Sequence, residues 1–194
     1  REVALNLYKG KCGLHHNEDR WAYISDLCGK VPSWKEDYLS ILTHAQYKCM
    51  PAHGFFVLDA VFEALKKAKV SKEFLENHNV SLIVSNDSEC YESADLVKHV
   101  KSDADNRQLP VTTLFNTLNS AISMNLASIL HIHGLSLTVS AACAGGGHAI
   151  GLAKMLLDSK QTEMVIVIGA QECASRYCME AFDALGVFSP DNVQ

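Results

Sequence analysis

No stretch of about 20 consecutive apolar residues occurs in the chain, so nothing in it is long enough to read as a membrane-spanning helix. Runs of lysine or arginine are missing too. With a net charge of -5, the chain carries no electrostatic footprint for nucleic acid or for an anionic membrane surface. The first residues, Arg1-Glu2-Val3-Ala4, lack the charged, apolar, small-residue order of a signal peptide. A disulfide framework is also absent: the seven cysteines are an odd number, and Cys173 and Cys178 do not form a CxxC pair. Reduced thiols in a cytoplasmic protein are therefore expected. Metal-ligand spacing is missing as well. His131 and His133 stand at i and i+2, wrong for two ligands on one helical face, and His15 and His16 have no acidic or cysteine companions at ligand spacing. No short-period repeat and no low-complexity linker appears.

What is present is an ordinary globular composition, 48% hydrophobic and 20% charged, enough for one substantial core or two small ones. Residues 1–50, with Trp21, Pro32 and Trp34 among polar neighbours, read as loops and short elements. From His53 to Lys69, Phe56, Leu58, Val61, Phe62, Leu65 and Ala68 recur at helical steps opposite Glu63, Lys66, Lys67 and Lys69, which predicts an amphipathic helix. Val80 to Ser85 is short, apolar and β-branched, the pattern of a buried parallel strand. Asn86 to Gln108 reads as loop with a short helix, its acidic residues Asp87, Glu89, Glu92 and Asp95 facing solvent. Pro110 to Ile132 predicts one long, nearly uncharged helix ended by Gly134. A strand over Leu135 to Ser140, a helix over Gly146 to Leu157 and a strand over Glu163 to Gly169 complete the alternation. That order argues for a layered α/β architecture with a parallel or mixed sheet. Arg1 and the terminal Asp191-Asn192-Val193-Gln194 both look like cut ends, the expectation being a fragment.

The chemistry concentrates in Thr138 to Gly151, where an apolar strand delivers Cys143 into a glycine-rich turn that opens a helix. Small Ala141, Ala142 and Ala144 allow a tight turn, and the glycines let backbone approach a substrate. The helix N-terminus would favour negative charge on the sulfur, and the Cys143 N–H could donate to an oxyanion. Most isolated cysteines are buried small hydrophobes, but a core cysteine needs no such turn, so Cys143 reads as a nucleophile and the other six as packing. His148 is a poor base for it: five helical residues turn about 500°, leaving the two side chains about 140° apart. A core role is expected for His148.

Leu135 to Ser189 resembles the corresponding segment of β-ketoacyl-acyl-carrier-protein synthases. The carrying stretches are Ser-Ala-Ala-Cys-Ala, Gly-Gly-His-Ala-Ile-Gly, Val-Ile-Val-Ile-Gly-Ala-Gln-Glu and Ala-Phe-Asp-Ala-Leu-Gly-Val-Phe-Ser. Upstream, Gly10-Lys-Cys-Gly13 and the helix from His53 to Val70 are similar to the family's early turn and first helix. Ile132-His-Gly134 and Phe182-Asp-Ala-Leu-Gly lean toward the branch that elongates acyl chains. The resemblance implies a thiolase-like αβαβα fold of which residues 1–194 are the N-terminal half. It implies Cys143 as catalytic nucleophile, Leu118 and Phe182 lining an acyl pocket, and no metal or organic cofactor. It further implies acyl carrier protein and acyl and malonyl thioesters as partners, and a homodimer or ketosynthase heterodimer in which Leu135 to Ser140 pairs with its copy. The family's two catalytic histidines, lysine and phenylalanine loop fall in a second half that lies outside this sequence. Two alternatives stand beside this. One is a non-catalytic, chain-length-factor-like partner subunit. The other is an unrelated cysteine hydrolase or acyltransferase, for which only His148 lies downstream as a base.

Overall fold

The computed structural model describes residues 2–17, 25–29, 40–87, 90–102, 109–173 and 175–190; Trp21, Pro32, Trp34 and Glu89 lie outside them. The chain divides into two compact units, one formed by Arg1–Trp34 with Arg176–Gln194, the other by Lys35–Ser175. In the first, helix α1 (Glu2–Tyr8) precedes a two-stranded antiparallel ribbon, β1 (Leu14–His16) with β2 (Leu27–Gly29), and α9 (Arg176–Ala184) follows much later in sequence. His16 Nδ1 and Asp26 Oδ2 are hydrogen-bonded at 3.0 Å across that ribbon.

The second unit carries the sheet. Strand β3 (Val80–Ser85) runs parallel between β4 (Ser136–Val139) and β5 (Met164–Gly169), giving the order β4-β3-β5. All six residues of β3 are buried, which is why this segment shows no apolar/polar alternation. The pleat sends Ser81, Ile83 and Ser85 to one face and Val80, Leu82 and Val84 to the other. On the first face, helix α8 (Gly145–Asp158) packs Ala149 and Ala153 onto Ile83, with Val139, Leu152, Leu156 and Val165 around them. On the opposite face lies α7 (Ala121–Leu130), whose Ser123 shares a 2.7 Å hydrogen bond with Thr138 of β4. Helix, sheet and helix make three layers.

Around this core stand α2 (His44–Cys49), α3 (Gly54–Ala68), α4 (Lys72–Asn77), α5 (Cys90–Lys101) and the short α6 (Thr113–Asn116). Helix α3 forms where the amphipathic pattern predicts it and ends on left-handed Lys69, φ 57°. Its buried stripe runs through Phe55, Val57, Leu58 and Val61, while Phe56, expected inside, is 39% exposed. None of the described helices is long and apolar enough to cross a membrane.

Three expectations change. The segment Asn86 to Gln108 holds a 12-residue helix, α5, rather than a short one. The single helix over Pro110 to Ile132 is two helices, α6 and α7, separated by Thr117–Ser120. Polar side chains there compete with the helix for backbone groups: the Thr117 hydroxyl donates to Leu114 O at 2.8 Å, and the Asn119 carbonyl is taken by the Asn86 side-chain amide at 3.0 Å. Finally, α7 is ended by His131 in the left-handed conformation, φ 54°, and not by Gly134. Gly134 is needed instead because its backbone lies against β3, where its N–H donates to Val80 O at 3.1 Å.

Candidate active site

The sequence Ser140-Ala-Ala-Cys-Ala-Gly leaves β4 and turns directly into α8. Ala142 stands at φ 45°, a left-handed backbone that costs an alanine on the order of 1–3 kcal/mol and persists only where the surroundings over-determine it. Ala142–Ala144 forms one turn of 3₁₀ helix, closed by Ala144 N–H donating to Ala141 O at 3.1 Å. Cys143, at the centre of that turn, is exposed. Helix α8 begins two residues later with no capping side chain and no acidic residue in its first turn. Its N-terminal N–H groups and dipole are thus directed to the turn that carries the sulfur.

The three glycines of this turn do different things. A Cβ on Gly145 would stand 2.1 Å from Ser85 Oγ, so glycine is what lets α8 start against the end of β3. Gly146 and Gly147 face open space and leave the mouth of the helix clear.

The carboxyl end of β3 ties the surroundings together, at the edge where open parallel sheets bind ligands. Ser85 receives α8, as above. Asn86, fully buried, donates its backbone N–H to Val139 O at 3.1 Å and its side-chain amide to Asn119 O at 3.0 Å. Asp87 accepts a hydrogen bond from the Ser140 hydroxyl. His53, buried at the N-terminus of α3, bonds to Asn86 and feels the charge of Glu172, which lies just beyond β5. Leu118, 37% exposed in the break between α6 and α7, adjoins the Asn119 carbonyl and so comes to the same end of the sheet as Cys143.

Over residues 2–194 the chain matches the family described as Beta-ketoacyl synthase, N-terminal domain. The chain belongs to that family. Among curated proteins, 3-oxoacyl-[acyl-carrier-protein] synthase 1 of Buchnera aphidicola subsp. Acyrthosiphon pisum is 24% identical over 97% of this chain and 47% of its own length. That of Haemophilus influenzae is 26% identical over 66% of this chain and 31% of its own length. The chain spans about half the length of the first of these relatives. Solved structures share the fold, two of them as follows. The ishigamide ketosynthase/chain length factor superposes with a TM-score of 0.81 at 18% identity, covering 98% of this chain and 47% of that one. A complex of a type II polyketide acyl-carrier protein with its ketosynthase, bound to the hexaketide, gives 0.76 at 17% identity, over 98% and 46%. The fold is therefore the thiolase fold of ketosynthases.

Within this β-ketoacyl synthase N-terminal domain the expected site residues fall in both units. Cys143 and Leu118 belong to the Lys35–Ser175 unit, whereas Phe182, 40% exposed, lies on α9 of the other. His148 is exposed on α8 and has no core role, because Ala149 and Ala153 form the face turned to the sheet. Asp87, expected at a solvated surface, is half-buried and bonded to Ser140. Asn86, His53 and Glu172 escaped the sequence reading. The available signal was Ser85-Asn86-Asp87, three polar residues ending an apolar parallel strand. Among the described residues no group of three or more His, Cys, Asp or Glu is placed to hold a metal ion.

Burial lowers the pKa of His53 below its usual value, against smaller raising effects from its Asn86 hydrogen bond and the Glu172 charge. The unfolded chain then binds a proton that the folded one refuses. Stability from this group is complete above about pH 6.5 and is lost as the pH falls from there toward the folded value. Urea titrations of wild type and His53→Gln from pH 7.5 to 5 should show a shallower acid decline in the variant. Parallel declines would count against a neutral, buried His53.

Proposed function

We propose that this chain is the nucleophile-bearing N-terminal half of a β-ketoacyl-acyl-carrier-protein synthase of the elongating branch, a decarboxylative condensing enzyme. The observation that carries this reading is Cys143: an exposed thiol on a strained turn between a parallel strand and an uncapped helix N-terminus, in a chain of this family. In the proposed cycle the Cys143 thiolate attacks an acyl-carrier thioester carbonyl, and the Cys143 N–H with the mouth of α8 receives the oxyanion. The carrier thiolate leaves and takes a proton. A malonyl-carrier thioester then loses carbon dioxide. Its carbanion forms the new carbon–carbon bond at the acyl carbonyl and releases Cys143. Electrons and atoms balance without a metal or organic cofactor. The bases that assist the decarboxylation belong, by resemblance, to the family's second half.

Leu118 and Phe182 are proposed as acyl-pocket residues, and acyl carrier protein as the partner, the latter supported by the carrier-bound ketosynthase among the fold relatives. A homodimer or ketosynthase heterodimer in the cytoplasm completes the proposal. The place of β4 at one end of the described sheet supports pairing of that strand across a subunit boundary.

The test supplies acyl- and malonyl-carrier protein to the full-length protein and reads β-ketoacyl product by mass spectrometry. Product is expected from the full-length protein and none from residues 1–194 alone; condensation by the 194-residue chain would overturn the division of labour. The likeness to a ketosynthase/chain length factor structure favours one second reading, a chain-length-factor-like subunit. That reading predicts product only after a separate ketosynthase is added.

A further inference from the structure

Ala142 holds its left-handed backbone, φ 45°, immediately before the nucleophile, so something must pin the turn on both sides. Downstream the pin is Gly145, seated on Ser85 with no room for a Cβ. Upstream, the described contact is the Ser140 hydroxyl donating to Asp87. Asp87 is well placed to hold still. It follows fully buried Asn86, whose N–H bonds Val139 O at 3.1 Å and whose amide bonds Asn119 O at 3.0 Å. Carboxylate Oδ2 of Asp87 is itself buried. A hydroxyl bonded to an ionised carboxylate is a stronger tether than one bonded to a neutral acceptor. Ser140 is three residues from Cys143, with only the strained turn between them.

We propose that Asp87, acting through Ser140, is the positioning residue that sets the Cys143 turn. This rests on Cys143 being the acyl-accepting nucleophile. Asp87 touches no reacting atom in this scheme; it fixes where the sulfur and the first N–H groups of α8 stand relative to an incoming carbonyl. Small displacements of a reacting group are expensive, about a hundredfold in rate for 1 Å, so a loosened tether should be visible in turnover.

The experiment is a double-mutant cycle in the full-length protein. It measures kcat and KM for acyl-carrier substrate, and stability of each variant, at a temperature where all are folded. Asp87→Ala and Ser140→Ala should each lower kcat about tenfold while changing KM less than about twofold. The double variant should be no slower than the slower single, because both remove one interaction. Asp87→Asn keeps an acceptor oxygen in place and should recover to within about threefold of wild type. Losses that multiply in the double variant, a change confined to KM, or an Asp87→Asn variant no better than Asp87→Ala would overturn the proposal. If wild type takes no acyl group, it is the nucleophile reading that fails. The same cycle then reads the rate of Cys143 alkylation by iodoacetamide, where the same non-additivity supports the tether and independent effects sink it.

Discussion

Exposure of the full-length protein to an acyl thioester should leave one acyl adduct, on Cys143, and Cys143→Ala should leave none while turnover falls by at least about a thousandfold. The expectation follows from how the turn is built. Attack on a thioester needs a sulfur that a carbonyl can reach, and donors waiting where the oxyanion forms. Cys143 is exposed, and α8 begins two residues beyond it with its first turn uncapped. Cys178 is buried, and Cys28, Cys49 and Cys173 are partly so, none of them in such a turn. Cys12, which is also exposed, provides the internal control. It should react with iodoacetamide yet take no acyl group, since no helix of eight or more residues begins beside it. Peptide mapping of the acylated protein separates the two, and an acyl group on Cys12 in place of Cys143 would remove the basis for the assignment.

The second large effect lies away from the chemistry. Gly134→Ala should destabilise the protein by about 3 kcal/mol, read as a lower denaturant midpoint with an unchanged slope. A Cβ there would meet Val80 O at 2.3 Å and Val80 C at 2.8 Å. The obstacle is backbone, and it belongs to the strand paired on both sides by β4 and β5. That strand cannot move without breaking the sheet. The segment bearing Gly134 is held to it by three bonds, Gly134 N–H to Val80 O at 3.1 Å, Leu82 N–H to Leu135 O at 2.8 Å and Leu135 N–H to Ser81 Oγ at 3.2 Å. Gly146→Ala is the matching control. Its Cβ would meet nothing, and alanine in a helix is worth roughly 0.5–1 kcal/mol over glycine, so stability should rise. A neutral Gly134→Ala would mean that the loop before β4 can lift off the central strand.

Several of these features are legible in the sequence. The Val80–Ser85 strand, the amphipathic α3 and the strand–turn–helix around Cys143 each announce themselves by composition over a short window, because the physics that makes them acts between near neighbours. Long uncharged Pro110–Ile132 misled for the converse reason. Its periodicity is helical throughout, but Asn86, more than thirty residues upstream, takes the Asn119 carbonyl and stabilises a break. Gly134 likewise looks like a helix stop, although His131 performs that task; what Gly134 answers to is the Val80 carbonyl across the sheet.

Asp87 is the sharpest case. In sequence it is one acid in a polar stretch, and solvent is the reasonable expectation. Only the parallel pairing of β3 with β4, Ser85 opposite Val139, carries it to Ser140 and thereby to the turn that bears Cys143. His148 reverses the pattern. Helical geometry argues against it as a partner for Cys143 and for a core role, yet its exposure was decided by which face α8 turned to the sheet. Ala149 and Ala153 took that face because they allow the close approach that Gly145 begins.

By itself, then, the sequence determined the layered α/β order and the strand–turn–helix around Cys143, since strand and helix periodicities and glycine-rich turns are local properties. The tertiary structure decided which side chains stand around Cys143. Ser85, Asn86 and Asp87 acquire their roles from the register of three strands, and register is set by long-range packing that no short window of residues contains.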